Sequence, residues 1–295
     1  MNVHPELDFD PPSQDFARNF IAPFKQYFEP EFFGIDEVDT SRPAMYVSNH
    51  SVVGILDAYP FAIELYLRKG IVLRTLADSN HFKIPVWRDF LAKRIGVLEA
   101  SRKNCAAIME RKESLVVFPG GTREVCKKKG EEYELKWHDR NGFVIMAMQH
   151  GYDIIPVAAV GAEEAFTITK DADDILHHTI AGWVLKRTGL ADKLFKGGEL
   201  LPPLVKGVGN TIIPKPVKLY FSFGKRISTK KFKNDFADPD IQELIKSKVE
   251  LSLMKQFKTL FEQRASDESE GKTGDNMLRR IINVVNAAPK PPKGA

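Results

Sequence analysis

Asn49-His50-Ser51-Val52-Val53-Gly54-Ile55-Leu56-Asp57 and Phe118-Pro119-Gly120-Gly121-Thr122-Arg123-Glu124 are the stretches on which the reading of this chain turns. Each lies at the end of a short apolar run, 44–48 and 115–118, with the length and composition of a buried strand. The first offers a histidine and a carboxylate, the second a glycine turn and an arginine. In α/β proteins the loops at the carboxyl ends of strands are where ligands bind.

Outward from these loops, further strand-like runs (71–76, 154–160, 217–223) alternate with helix-like segments (56–68, 85–94, 101–111, 143–150). Gly70 and Gly151 are placed to close helices, Ser101 and Asp238 to cap them, and Pro85 to sit harmlessly in a first turn. The pattern predicts one α/β domain over 44–265, with a mixed, mostly parallel sheet flanked by helices. Ahead of it, 1–43 reads as a loose arm and an amphipathic helix whose aromatic face, Phe16, Phe20, Ile21, Phe24, Tyr27 and Phe28, packs on the core or, as the rival reading, dips into a bilayer surface. From Asp238 a long helix carries Ile241, Leu244, Ile245, Val249, Leu253, Phe257, Leu260 and Phe261 on one face. The segment 179–216 mixes Gly, Pro and aliphatics with Lys186, Arg187, Lys193, Lys196 and Lys206. The sequence assigns no regular elements there; Trp183, Leu185, Leu200, Leu201 and Leu204 suggest an apolar lid or a membrane-facing insertion, against the blander reading of irregular core. Residues 266–295 read as a polar linker and a basic amphipathic tail around Arg279 and Arg280.

A net charge of +4 over 295 residues gives no reason to expect a nucleic-acid partner, and no zinc-finger or RNA-binding pattern occurs. Cys105 and Cys126 cannot form a disulfide framework and read as reduced thiols. The acidic, proline-containing start is unlike a secretory signal, and no run approaches the ~20 apolar residues of a membrane span. A soluble or peripheral protein is expected.

His50 is suited to accept a proton near neutral pH, provided a partner fixes its tautomer. On one continuous helix His50 and Asp57 would lie about 10 Å apart. They can meet only if 51–54 forms a loop, which Gly54 permits, and a helix begins near Asp57. A His–Asp pair alone is more often coincidence than a site. The Pro-Gly-Gly turn can free N–H groups for an anion, with Arg123 as a planar cation, but by itself is as often a plain surface turn. His177-His178 is more often a loop pair than a metal site.

Four blocks in order change that balance. NHSVVGILD, Gly96-to-Arg102 (GVLEASR), FPGGTRE and Ile154-Ile155-Pro156-Val157 resemble the glycerolipid (PlsC-type) acyltransferase superfamily, in particular its monoacylglycerol/diacylglycerol acyltransferase-like branch. The resemblance implies that His50, oriented by Asp57, takes the proton of an acceptor hydroxyl as it attacks an acyl thioester of coenzyme A or acyl-carrier protein. Neither metal nor further cofactor is implied. Gly120, Gly121, Thr122, Arg123 and Glu124 would shape the substrate pocket, and Arg102 and Arg123 would hold phosphate. The implied partners are a lipid alcohol and a membrane surface, at its cytoplasmic face. Two departures stand out: two extra residues separate His50 from Asp57, and Gly120 replaces the usual glutamate. The latter points to neutral acceptors such as mono- or diacylglycerol or a long-chain alcohol, with a lysophospholipid also in the acceptor class. The rivals are an acyl thioesterase or esterase, for which no GxSxG elbow is present, and a non-catalytic lipid-binding protein on the same scaffold.

Overall fold

A computed structural model describes residues 7–83 and 85–271. Its strands are β1 (Glu31–Phe33), β2 (Ala44–Ser48), β3 (Leu73–Ala77), β4 (Val97–Glu99), β5 (Ser114–Val117), β6 (Asp153–Val160), β7 (Thr167–Lys170), β8 (Leu204–Lys206) and β9 (Tyr220–Phe223). Its α-helices are α1 (Gln14–Phe28), α2 (Ala58–Lys69), α3 (Pro85–Phe90), α4 (Arg102–Glu110), α5 (Thr122–Val125), α6 (Gly142–His150), α7 (Ala172–His178), α8 (Ile180–Arg187), α9 (Leu190–Phe195) and α10 (Pro239–Ser269).

Seven strands form one sheet in the order β1-β9-β6-β2-β5-β3-β4. All pairs are parallel except β6–β9. β2 and β6 are buried along their whole length because both faces of the sheet are covered. Alternate residues enter opposite layers. Met45 and Val47 join α4, α6 and α10 through Ile108, Val144, Val249 and Leu253. Ala44 and Tyr46 join α1 and α2 through Phe28, Phe61 and Leu65.

The strand register places the two decisive loops side by side. Val47 lies opposite Val117 in a parallel pair, so the chain leaves β2 towards His50 and β5 towards Gly120 at the same edge. The carboxyl ends of β3, β4 and β6 share that edge. Ser101 caps α4 and Asp238 caps α10, as the sequence indicates, and Asp57 caps α2 by accepting the Ala58 N–H, so that helix starts two residues later than expected.

The structure goes beyond or departs from the sequence expectations at four points. The segment 179–216, left without assigned elements from the sequence, contains α8, α9 and β8, the last pairing with β7 in a separate two-stranded ribbon. Residues before 44 are not an appendage, since β1 pairs with β9 and α1 packs on α2. On α1, Ile21 and Phe28 are buried, whereas Phe16 and Phe20 stack on each other at 6.1 Å in the open. At the other end α10 runs through Ser269, beyond the expected linker boundary at 266. The basic tail around Arg279 and Arg280 lies outside the described residues.

Candidate active site

Asp57 brings the His50 loop to a point. Its Oδ2 accepts from His50 Nδ1 (2.7 Å), the Ser51 N–H (2.6 Å) and the Ser51 hydroxyl (2.8 Å). The two extra residues between His50 and Asp57 are taken up in a tight turn. Val53 and Gly54 are both left-handed (φ 69° and 65°), and the Gly54 N–H returns to Ser51 O. A β-branched residue in that region stores strain of about 1–3 kcal/mol, offset here by the bonds that hold the turn. Glycine is required at 54 for a second reason: a Cβ there would lie 2.7 Å from His50 Cε1 and 3.0 Å from Nε2. The imidazole is thus approached closely on that side by backbone, while its ring stacks on Phe118 at 4.3 Å.

Three consecutive backbone N–H groups end on three buried carboxylates. His50 N–H donates to Glu124 (2.7 Å), Ser51 N–H to Asp57, and Val52 N–H to Glu163 (3.0 Å). Lys127, fully buried, donates to His50 O (2.9 Å) and to Glu163 (2.7 Å). Asn49 anchors the start of the loop to β6, exchanging hydrogen bonds with Ala159 N–H (2.9 Å) and O (3.0 Å). Carboxylate bonds of this kind contribute about 1.5–3 kcal/mol each. The loop is therefore rigid, and its position is set from β5 and β6 as well as from β2.

The charges converge on the imidazole. Burial pulls the His50 pKa down, but the Asp57 carboxylate, its hydrogen bond and the Glu124 charge outweigh burial and raise it. Burial pushes the Asp57 carboxyl up, and the His50 and Ser51 contacts bring it below the ordinary range. Burial raises Glu124 and Glu163, with Lys127 opposing in both. With Asp57 ionised, Nδ1 carries the proton and Nε2 is the free base. Among the described residues Nε2 has no hydrogen-bond partner, and the side chain is 16% exposed against 0% for Asp57. Burial pushes the Cys105 thiol up to about 12 and Cys126 up to about 11, so neither is a thiolate near neutral pH.

The glycine loop is held by Arg140, which donates to Pro119 O (3.0 Å) and Gly120 O (2.7 Å). The Gly121 N–H is spent on Phe118 O (3.0 Å), so it does not face a ligand. Among the described residues the N–H groups of Gly120 and Thr122 have no acceptor. Arg123 pairs with Glu199 (Nε to Oε1, 2.5 Å); the approach is off the N–H direction, so Nε remains without a formed hydrogen bond. Thr122 reaches Asp78 beyond β3 (3.4 Å). Arg102 is exposed in the first turn of α4, at the same sheet edge.

Glu124, expected to touch substrate, is fully buried. Its second oxygen accepts the Lys136 N–H at 3.0 Å. It supports His50 from behind. Sequence reasoning passed over Lys127, Arg140, Glu163 and Glu199. Lys127 stands in a Lys127-Lys128-Lys129 run that reads as solvated surface, and Glu163 is 111 residues from the N–H it accepts; no local pattern marks either.

Residues 13–271 match the family model described as diacylglycerol acyltransferase, and the chain belongs to that family. It is 30% identical over 236 residues to phytyl ester synthase 2, chloroplastic, of Arabidopsis thaliana, covering 73% of this chain and 32% of that protein. It is 30% identical over 136 residues to the DGAT1/2-independent enzyme synthesizing storage lipids of Homo sapiens, covering 46% of this chain and 41% of that protein. The first relative is thus matched over about a third of its length. Among solved structures, the 1-acyl-sn-glycerophosphate (LPA) acyltransferase PlsC of Thermotoga maritima aligns with a TM-score of 0.48 at 11% identity, over 82% of this chain and 77% of that one.

Proposed function

We propose that this member of the diacylglycerol acyltransferase family moves a fatty acyl group from a thioester to a lipid hydroxyl, with His50 as general base. The observation that carries the reading is the pairing of a partly exposed His50, through Nδ1, with a buried, fourfold hydrogen-bonded Asp57, which leaves Nε2 without a partner among the described residues. Nε2 takes the proton of the acceptor hydroxyl as its oxygen attacks the thioester carbonyl carbon. The carbonyl oxygen gains the negative charge, and we assign its stabilisation to the N–H groups of Gly120 and Thr122, which have no acceptor among the described residues. Collapse breaks the C–S bond, and the imidazolium returns its proton to the departing thiolate. No acyl-enzyme forms. Asp57, Glu124 and Glu163 against Lys127 leave the surroundings negative, which favours the imidazolium while the proton is held.

The acceptor is an uncharged alcohol: a mono- or diacylglycerol or a long-chain alcohol. Gly120 carries no acidic side chain of its own, the carboxylate beside it (Glu124) is buried and spent on backbone N–H groups, and the names of the relatives specify phytyl esters and storage lipids. Such substrates reside in bilayers, and the apolar insertion meets them there. On α8, Ile180, Trp183, Val184 and Arg187 share one face at helical spacing and all point outward; Ile180 is 84% and Trp183 62% exposed. Arg187 lies over the Trp183 ring at 5.7 Å. No helix among the described residues is long and apolar enough to cross a membrane, so contact is at the surface.

The test is free-thiol release from a long-chain acyl-CoA, and in parallel from acyl-carrier protein, with and without a panel of lipid alcohols. Acceptor-dependent release, lost in His50→Ala and lowered about 10²–10⁴-fold in Asp57→Asn, supports the reading. Release indifferent to acceptor makes the protein a thioesterase, and lipid binding without any release makes it a carrier.

A further inference from the structure

The glycine loop is a turn with one loose joint. Gly121 N–H donates to Phe118 O at 3.0 Å and closes residues 118–121 into a β-turn. That bond does not restrain the middle peptide, between Pro119 and Gly120, whose flip is what separates a type I turn from a type II turn. Proline in the second position suits both types, and type II needs a left-handed third residue, which a glycine supplies at no cost. Gly120 is that third residue, and it is not left-handed in the structure. The peptide therefore stands in one of two orientations open to this sequence.

Arg140 selects the orientation. A single nitrogen, Nη1, donates to Pro119 O at 3.0 Å and to Gly120 O at 2.7 Å. Among the described residues Pro119 O has no other partner. In a trans peptide the C=O and N–H point in opposite directions, so a guanidinium on Pro119 O turns the Gly120 N–H to the far side. That N–H is one of the two in the loop without an acceptor. The other, on Thr122, is fixed by the backbone: its peptide carbonyl, Gly121 O, accepts from Glu124 N–H (3.0 Å) and Val125 N–H (3.3 Å). Gly121 also makes room for the arginine, being left-handed (φ 49°) where a Cβ would lie 3.1 Å from Nη1.

Arg140 is firmly placed in turn. Its own N–H donates to Trp137 O at 2.9 Å, and Trp137 is fully buried with its ring edge-on to Phe143 at 5.4 Å. Between them, His138 O accepts from Lys246 of α10.

We propose that Arg140 is a positioning residue of the reaction: it holds and polarises the Pro119–Gly120 peptide so that the Gly120 N–H faces the thioester carbonyl oxygen as that oxygen takes negative charge. This role rests on the acyltransfer reading. Arg140 does not touch the substrate. By drawing electron density from Pro119 O it makes the N–H of the same peptide a stronger donor. Without it the peptide is free to flip, and Pro119 O would then point at the oxyanion and repel it.

Two variants separate this role from a structural one. Arg140→Met keeps most of the bulk and removes the donors; Arg140→Lys offers one ammonium that can bond both carbonyls, as Nη1 does. In acceptor-dependent thiol release Arg140→Met should lower kcat about 10²–10³-fold, the scale of one lost oxyanion donor. KM for acyl-CoA should change little, because the bond strengthens only in the transition state. Arg140→Lys should recover most of the loss. The pH midpoint, set at His50 by Asp57 and Glu124, should stay in place. The second readout needs no turnover: the infrared C=O stretch of palmitoyl-CoA, isotope-labelled at its carbonyl carbon and bound to His50→Ala. The Gly120 N–H should lower that stretch relative to free thioester; adding Arg140→Met should return it towards the free value, and adding Arg140→Lys should not. A variant that is merely less stable leaves the stretch of the bound thioester where it was. A stretch indifferent to Arg140, or an unchanged kcat in Arg140→Met, overturns the proposal and leaves the acyltransfer reading standing. An Arg140-dependent stretch with no acceptor-dependent release keeps the positioning role and rejects acyltransfer. If neither palmitoyl-CoA nor the palmitoyl thioester of acyl-carrier protein binds, both fall.

Discussion

Gly120→Ala places a single methyl group where the Glu124 side chain already lies. A Cβ at 120 falls 2.2 Å from Glu124 Cδ, 2.3 Å from Cγ and 2.6 Å from Oε1, all well inside contact distance. Glu124 cannot move aside cheaply, since it is buried and both oxygens are engaged, one by the His50 N–H and the other by the Lys136 N–H. Expelling it breaks two charge-assisted bonds at about 1.5–3 kcal/mol each, so about 3–6 kcal/mol of stability is at stake. The His50 N–H then lacks an acceptor and the imidazole loses its support from behind. A displacement of about 1 Å at a reacting group costs on the order of 10²-fold in rate. Two assays read this: urea unfolding for stability, and acceptor-dependent thiol release for kcat/KM. Glu124→Ala should lose the same bonds. In the Glu124→Ala background Gly120→Ala has nothing to strike and should cost under about 1 kcal/mol, giving a strong coupling in the double-mutant cycle. Additive losses across that cycle would refute the steric account. So would a single Gly120→Ala variant that is stable and fully active.

Three further outcomes follow from the geometry. Since burial lowers the His50 pKa but Asp57 and Glu124 together raise it past its ordinary value, kcat/KM should climb with pH to a plateau, with a midpoint above about 6.5; Asp57→Asn should move the midpoint down, and a profile flat from pH 6 to 9 counts against His50 as base. The sign for stability is the reverse: with the folded pKa raised, the contribution is full below the unfolded value and fades as pH rises through the folded one, as urea midpoints of wild type and His50→Gln will read. Lys127→Met strands Glu163 in the interior and should cost about 3–5 kcal/mol, with partial rescue by Glu163→Gln; equal stability of wild type and Lys127→Met in urea speaks against the buried pair. Replacing Ile180 and Trp183 together by Asp should sharply reduce co-flotation with phospholipid vesicles, whereas equal flotation discards α8 as the contact face.

How much of this was legible in the sequence follows from the range over which each feature is decided. The strands β2, β3, β5, β6 and β9, the helices α2, α4, α6 and α10, the caps at Ser101 and Asp238, and the closing glycines at 70 and 151 depend on neighbours within a turn or two, so a local pattern reveals them. The pairing of His50 with Asp57 was also within reach: seven residues allow it only through a loop, and Gly54 permits the bend. The short helices α8 and α9 were missed because 179–216 is rich in Gly and Pro, and segments of eight and six residues carry too few turns for a periodic signal. Only the folded chain decided which charges are buried around the base. Glu124, Lys127 and Glu163 meet the His50 loop across 74, 77 and 111 residues, from segments that follow β5 and β6, the strands that flank β2 in parallel pairing. Glutamate and lysine are ordinarily solvated, so their composition points to the surface. Their burial becomes affordable when three backbone N–H groups, one carbonyl and each other's charges satisfy them at once, and that condition exists only after the sheet has closed.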